Sequence, residues 1–181
     1  MKNFIYNEMM VHVPVCTSKD PKNVLIISDN ASALENEMQK HSEIPSVSIA
    51  SGIEALREED DNNYDVVICE AKSDAAILAH ISRVLKEDGL VSMNHPSLDN
   101  VEDNKSIMQI LGNYFKIIMP YNLGNGETAL LASKEYHPTA DINLHRTDML
   151  DGLEFYNCDV HPAAFAMGNN IRKAYLGVIK N

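Results

Sequence analysis

Apolar and polar positions follow two different rhythms along this chain. Short runs of consecutive apolar residues, such as VLII at 24–27 and VVIC at 66–69, have strand length and are typical of strands covered on both faces. Segments with apolar residues at helical spacing separate these runs, and DAAILAHISRVLKEDG at 74–89 is the clearest of them. The alternation of the two patterns predicts an α/β protein.

The boundaries of the predicted elements come from residues that start or stop helices. Pro14 is expected to interrupt the helical pattern of an N-terminal segment at 1–17, and Gly89 is expected to close the helix that begins near residue 74. Ser28, Asp29 or Asn30 could cap a helix over residues 31–41. The other expected elements are strands at 24–27, 45–50, 64–70 and 89–95, helices at 52–60 and 104–115, and two strands within 116–134 around a turn containing Asn125-Gly126.

Strands that alternate with helices of this length predict a doubly wound, mostly parallel, Rossmann-like sheet of the class I methyltransferase type, with an antiparallel C-terminal hairpin. We expect a single domain over residues 1–181, with the N-terminal segment at 1–17, the sheet core at 18–134 and a tail at 135–181 that packs on the sheet. Ligands bind beyond the carboxyl ends of the strands in such sheets. The positions to inspect are therefore 28–32, 50–52, 70–74 and 119–123.

Composition and charge narrow the possible partners. The 26 acidic residues outnumber the 15 basic ones, so the basic surface by which proteins bind nucleic acid is missing, whereas a cationic small molecule would be tolerated. The cysteines Cys16, Cys69 and Cys158 are far apart and odd in number, which predicts reduced thiols. No apolar stretch has membrane-spanning length, and the first residues lack the pattern of a signal peptide. We expect a cytoplasmic protein without a membrane or nucleic-acid partner.

Four segments of the chain resemble the spermidine synthases, and they occur in the same order as in that family. YNEMMVHVPVCTSKDPKNVLII at 6–27 is similar to the family's YHEM segment and its lead into the first strand. YDVVICEAKSD at 64–74 is similar to the strand that ends in TDSSDP, and LKEDGLVS at 85–92 to the step that follows it. FYNCDVHPAAFAM at 155–167 resembles the C-terminal box, whose aromatic, His and Ala-Ala-Phe positions make it the most specific match.

The resemblance implies an aminopropyltransferase activity. In the family, an aminopropyl group moves from decarboxylated S-adenosylmethionine to putrescine when a neutral amine attacks the carbon beside the sulfonium. The sulfonium already activates the leaving group, so the resemblance implies no metal and no further cofactor. An amine with a pKa of ~10 must first lose a proton, which a nearby carboxylate can accept. The implied partners are a polyamine and an adenosyl nucleoside. A homodimer is one of the oligomeric states that the resemblance leaves open.

The resemblance also assigns candidate site residues. Glu70 matches the catalytic Asp of TDSSDP with one additional methylene, a shift of roughly an ångström that can cost on the order of a hundredfold in rate. The expected contacts of the polyamine are Tyr6, Asp74 and Tyr121. The residues expected to lie against the adenosyl group are Asn7, Ser28, Asp29, Asn30, Ser51 and Gly52.

The chain departs from the family where the adenosyl group would bind. The family has GGGDGG after the first strand, and residues 28–33 of this chain contain no glycine, so their side chains occupy space that a ligand would use. Asp29 or Asn30 could still adopt a left-handed conformation. The family's ribose-binding acid has no counterpart near Ala50, and its N-terminal β-domain is expected to be absent because Met1 falls just before the YHEM match.

Three functions stay open on this basis. The chain is an active or weakly active aminopropyltransferase, a catalytically degenerate homologue that acts as a binding or structural protein, or a methyltransferase, which the C-terminal box favours least. The site candidates also have structural alternatives, since Glu70 could be an exposed strand-end carboxylate and Tyr6 a packing residue. His95, His137 and His161 each precede a proline without metal-ligand spacing, which favours turns and packing over a metal site.

Overall fold

A six-stranded sheet organises residues 4–181, the part of the chain that the computed structural model describes. The first three residues of the expected N-terminal segment lie outside this range. The strands are β1 (Asn23–Ile27), β2 (Ser46–Ala50), β3 (Tyr64–Cys69), β4 (Leu85–Asn94), β5 (Ile117–Asn122) and β6 (Thr128–Ser133). The helices are α1 (Phe4–Thr17), α2 (Ser32–Met38), α3 (Gly52–Glu58), α4 (Ala75–Val84), α5 (Val101–Leu111), α6 (Leu144–Asp148), α7 (Val160–Ala164) and α8 (Asn169–Ala174).

The strand order β2-β1-β3-β4-β6-β5 confirms the predicted fold class. Strands β2, β1, β3 and β4 are parallel, and β6 runs antiparallel between β4 and β5, so the C-terminal hairpin completes one side of the sheet. The chain leaves β1 toward β2 on one side and returns to β3 on the other. This reversal between β1 and β3 is the switch point at which such sheets bind ligands.

Backbone hydrogen bonds hold the chain together just beyond the switch point. The amide of Ser28 donates to the carbonyl of Ala50 (3.1 Å), and the amide of Glu70 donates to the carbonyl of Ile27 (2.8 Å). The residues that follow β1 and β3 are thereby fixed side by side. Their side chains project at the edge of the sheet where a ligand is expected.

Pro14 does not interrupt the first helix, contrary to the prediction. Helix α1 runs through it to Thr17, and all residues from Glu8 to Thr17 are buried. A proline inside a helix removes one hydrogen bond and crowds the preceding turn, and the apolar contacts around α1 outweigh that local cost. The helix is thus a central element covered on all sides.

Gly89 does not close a helix either, because α4 already ends at Val84 and β4 begins at the next residue. Strand β4 pairs with β3 at Tyr64–Leu85, shifts its register and resumes pairing at Val66–Leu90. The helical pattern over 85–89 gave way because Leu85 and Leu90 both pair with β3, and the residues between them form the irregular segment where the register shifts. A side chain at Gly89 would have its Cβ 2.9 Å from Leu85, so the shifted segment requires this glycine.

The expected caps of α2 were also wrong. The N-cap is Ala31, whose side chain cannot accept a hydrogen bond. The hydroxyl of Ser28 accepts from the amide of Asn30 (3.1 Å) and does not reach the helix. Among the non-glycine residues of 4–181 only Asn62 has a positive φ, so neither Asp29 nor Asn30 adopts the left-handed conformation considered for them.

A buried carboxylate joins α1 to the C-terminal region. Glu8 is 2% exposed, and its two oxygens accept hydrogen bonds from three consecutive backbone amides at 2.8–2.9 Å, those of Glu154, Phe155 and Tyr156. The Tyr156 hydroxyl then bonds to Nδ1 of buried His161 (2.7 Å). These contacts fasten the aromatic box at 155–167 against the helix that carries the YNEM motif.

Two buried histidines form a second polar cluster under α1. His12 Nδ1 lies 2.9 Å from His41 Nε2, and His12 Nε2 lies 2.6 Å from the carboxylate of Glu37, which also accepts from Lys40 (2.7 Å). Burial lowers the pKa of His41 and of His161 from 6.5 to about 4. Both rings are therefore neutral when the folded protein is at neutral pH.

We expect Glu8→Gln to lower the free energy of unfolding by about 3 kcal/mol, because an amide has one acceptor oxygen and its NH2 group opposes the backbone donors. Urea unfolding of the two proteins measures the difference. Glu154→Gln removes a neighbouring carboxylate that is exposed and serves as the matched control. Equal stability of the two variants would contradict the role of Glu8.

We expect the protein to lose stability as the pH falls from 6.5 toward 4. The unfolded chain binds protons on His41 and His161 in this range, whereas the folded chain does not, so acid favours unfolding. Chemical unfolding at a series of pH values measures the slope. His161→Gln should reduce it and the exposed His145→Gln should leave it unchanged; an unaltered slope in His161→Gln would refute this origin.

Candidate functional site

The site lies where β1, β3 and β4 end. Ser28 follows β1, Glu70 follows β3 and Asn94 is the last residue of β4. Tyr6 reaches the same place from the first turn of α1. The parallel direction of the strands brings these polar side chains to one edge, as expected for a doubly wound sheet.

Glu70 is held by hydrogen bonds on both carboxylate oxygens. The hydroxyl of Tyr6 lies 2.9 Å from Oε1, and the hydroxyl of Ser28 donates to Oε2 at 2.5 Å. The Tyr6 hydroxyl is also 3.0 Å from Oδ1 of Asn94. Burial, followed by the negative charge of Glu70, raises the pKa of Tyr6, so the phenol stays protonated as a donor. The structure thus fixes the orientation of the carboxylate.

Two cavities lie at this edge of the sheet and share Asn94 and His95. The larger has a volume of about 550 Å³, and Tyr6, Asp99 and Glu127 are among its lining residues. The smaller measures about 250 Å³ and is lined on one side by the segment from Glu70 to Ser73. Each is large enough for a small molecule or part of one.

His95 forms the wall between the two cavities, and its hydrogen bonds define its tautomer. Its Nδ1 lies 2.7 Å from Oδ1 of the buried Asn104, whose Nδ2 donates to three backbone carbonyls. Because the amide orientation of Asn104 is thereby fixed, Nδ1 of His95 carries the proton and Nε2 accepts from Thr128 (2.9 Å). Burial lowers the pKa of His95, so this wall of both cavities is uncharged at neutral pH.

The other residues expected to contact a polyamine lie elsewhere. Asp74 caps α4, where its carboxylate accepts from the amide of Ile77 (2.9 Å). Tyr121 is 0% exposed, and its hydroxyl lies 2.5 Å from that of Ser92. Neither residue lines the two cavities beside Glu70. Of the expected group, only Tyr6 meets Glu70 directly.

The expected adenosyl-binding turn is open to solvent and polar. Asp29, Asn30 and Ser51 are exposed, and the hydroxyl of Ser51 donates to Asp29 (3.1 Å), which links the ends of β1 and β2. Gly52 has a φ of +77° and open space on its side-chain position. Asn7 is half-buried beside Tyr6 on α1. Of the six residues expected to lie against the adenosyl group, Ser28 alone contacts Glu70.

Sequence reasoning missed several residues of the cavities. Asn94 and His95 are the last two residues of a predicted strand, so the same rule that selected Glu70 could have found them. Asp99 and Glu127 line the larger cavity and Lys72 the smaller. Nothing in the local sequence marks these three charged residues, because their positions depend on how the loops fold back over the sheet.

No group of three or more His, Cys, Asp or Glu side chains within residues 4–181 is arranged to hold a metal ion. In the same range, none of the helices combines the length and apolar character needed to cross a bilayer.

The sheet order and the site at its switch point define a Rossmann-like protein of the methyltransferase type. Comparison with known proteins then narrows the class. The family model described as "Spermine/spermidine synthase domain" matches residues 3–53. The polyamine aminopropyltransferase of Helicobacter pylori strain G27 is 26% identical over 212 residues, an alignment that covers 99% of this chain and 80% of the relative.

Solved structures agree with this relationship. The spermidine synthase of Thermotoga maritima superposes with a TM-score of 0.81 at 25% identity, covering 97% of this chain and 75% of that protein. A spermidine synthase in complex with the transition state analogue AdoDATO superposes with a TM-score of 0.82 at 23% identity, covering 94% and 75%, and supports the fold. The chain is thus similar to the spermidine synthases along nearly its whole length, which confirms the resemblance of its motifs.

We expect His95 to be a neutral ring with its proton on Nδ1 at pH 7. Long-range proton–nitrogen NMR correlations distinguish the two tautomers, and the exposed His145 provides an internal comparison. A proton on Nε2, or a charged ring, would contradict the role inferred for Asn104. Acidification should charge His95 only below the usual range of a histidine, because burial lowers the pKa of His95.

Proposed function

We propose that this chain transfers an aminopropyl group from decarboxylated S-adenosylmethionine to an amine, with Glu70 as the acceptor of the amine's proton. The observation that carries the proposal is the position of Glu70, which lies at the switch point, is oriented by Tyr6 and Ser28, and borders a cavity. The relationship to polyamine aminopropyltransferases supplies the reaction.

The chemistry requires a neutral amine close to a sulfonium-activated carbon. The amine nitrogen attacks this carbon, the carbon–sulfur bond breaks, and methylthioadenosine leaves while the proton passes to Glu70. Each carboxylate oxygen has a second lone pair besides the one that accepts from Tyr6 or Ser28. Glu70 can therefore accept from a substrate amine without losing the hydrogen bonds that orient it.

Charge favours cationic substrates at this edge of the sheet. Asp99 and Glu127 line the larger cavity, and the chain as a whole carries a net charge of −11. Such a field attracts the amine and sulfonium groups of both proposed substrates. His95 adds no opposing charge, because its ring is neutral at the pH where the amine reacts.

The adenosyl group is proposed to lie over residues 28–32 and Ser51-Gly52, where the open space beside Gly52 permits close approach. A second function is favoured by the Asp29–Ser51 hydrogen bond, which joins two strand ends across this position. If that bond persists, the chain is a degenerate homologue that binds a partner without turnover. The two functions differ in whether a nucleoside can displace this contact.

We expect the protein to form spermidine from putrescine and decarboxylated S-adenosylmethionine, detected by mass spectrometry. Glu70→Gln should lower the rate by about a hundredfold or more, because the amide cannot accept the proton. Glu58→Gln removes an exposed carboxylate on α3 and serves as the matched control. Equal rates for wild type and Glu70→Gln would reject the role of Glu70.

Calorimetric titration with methylthioadenosine separates the two functions. The transferase should bind the nucleoside, and an Asp29→Gly variant, which lacks the bridge to Ser51, should bind it at least as well. Absence of both binding and product would favour the degenerate homologue.

A further inference from the structure

The smaller cavity beside Glu70 contains a positive charge that a diamine site does not require. Lys72 lines this cavity, two residues beyond Glu70 in the loop that connects β3 to α4. Its side chain makes none of the hydrogen bonds or ion pairs found among residues 4–181, so its ammonium group is available to a ligand. A diamine would be repelled by this cation rather than bound by it.

Lys72 does not pair with Glu70 although both line the same cavity. The carboxylate of Glu70 is engaged on both oxygens, by Tyr6 at 2.9 Å and by Ser28 at 2.5 Å. These bonds hold it toward the end of β1 and the start of α1. The cavity therefore presents two separate charges of opposite sign, a fixed carboxylate and an unpaired ammonium.

The remaining lining adds polar groups but no further full charge. It consists of Ala71, Ser73, Asn94, His95, Pro96 and Ile107. The hydroxyl of Ser73 donates to the carbonyl of Asn94 at 3.3 Å, which ties the loop that carries Lys72 to the end of β4. His95 adds no charge at neutral pH, because burial lowers its pKa. Lys72 is the cation of this cavity, and Glu70 is its anion.

We propose that the acceptor bound in the smaller cavity is an amino acid, an amine that also carries a carboxylate, rather than a simple diamine. Its attacking amine lies at Glu70 and its carboxylate pairs with Lys72. This inference rests on the proposed transfer reaction and specifies the acceptor. The bond changes are the same: the acceptor nitrogen bonds to the aminopropyl carbon, methylthioadenosine leaves and the proton passes to Glu70.

The two cavities differ in the charges of their lining residues, and this difference matches the charges of the aminopropyl donor and of an amino-acid acceptor. The larger cavity is lined by Asp99 and Glu127, which match the purely cationic arm of the donor. The smaller cavity matches a zwitterion. A volume of about 250 Å³ accommodates an amino acid whose side chain ends in an amine.

The experiment compares acceptors that differ only in the carboxylate. Ornithine and putrescine form one such pair, and lysine and cadaverine form another. We expect kcat/KM to favour ornithine over putrescine by about fivefold in the wild type, the effect of one partly solvated ion pair. Lys72→Gln should abolish or reverse this preference. Lys173→Gln removes an exposed lysine of α8 and is the matched control.

A binding measurement keeps this inference separate from the transfer reaction itself. Ornithine and putrescine are titrated calorimetrically into the wild type and Lys72→Gln, each in the presence of methylthioadenosine. A preference for ornithine that disappears in Lys72→Gln supports the amino-acid site even if no product forms, in which case only the proposed reaction fails. Spermidine formation with a preference for putrescine that Lys72→Gln does not change overturns the amino-acid site and leaves the transferase intact.

Discussion

The structure depends on the contact between the Glu8 carboxylate and three backbone amides of residues 154–156. A buried carboxylate is unfavourable unless its oxygens are satisfied, and here three amides from a segment about 150 positions away satisfy them. The contact sets the position of α1 against the C-terminal region. Tyr6, which lies two residues before Glu8, is thereby placed over the carboxyl ends of β3 and β4, where it meets Glu70. The motifs YNEM and FYNCDVHPAAF are thus two halves of one structural unit.

Ligands in this type of fold bind at the switch point, beyond the carboxyl ends of the neighbouring strands β1 and β3. The Ser28–Glu70 hydrogen bond joins the ends of these two strands. It lies at the position where the spermidine synthases have a glycine turn. The serine that fills the turn is therefore also a group that orients the proposed proton acceptor. The same serine occupies the turn where the nucleoside is proposed to lie and orients the carboxylate of Glu70. The absence of glycine at residues 28–33 is therefore compatible with the proposed chemistry of Glu70.

The fold class and most elements could be predicted because apolar runs and helical spacing are local signals. The predictions failed where distant residues decide the local conformation. The segment at 85–89 has a helical pattern but joins β4, because Leu85 and Leu90 on either side of the register shift pair with β3. Helix α1 continues through Pro14 because its residues from Glu8 to Thr17 are buried. Glu70 and Tyr6 could be proposed from motif matches, and the structure brings them into contact. Lys72, Asp99 and Glu127 could not, since no pattern along the chain shows which loop residues face a common cavity.

The burial of Glu8 within α1 has a consequence for how this chain folds. Ten consecutive residues of α1, from Glu8 to Thr17, are shielded from water, and the amides that satisfy Glu8 lie about 150 positions further along the chain. Contacts between such distant segments form slowly, because a long loop must close before they contribute. Helix α1 can pack on α2, β3 and β4 earlier, but its carboxylate is then buried without its backbone partners. The final docking of α1 is therefore coupled to the folding of residues 154–156.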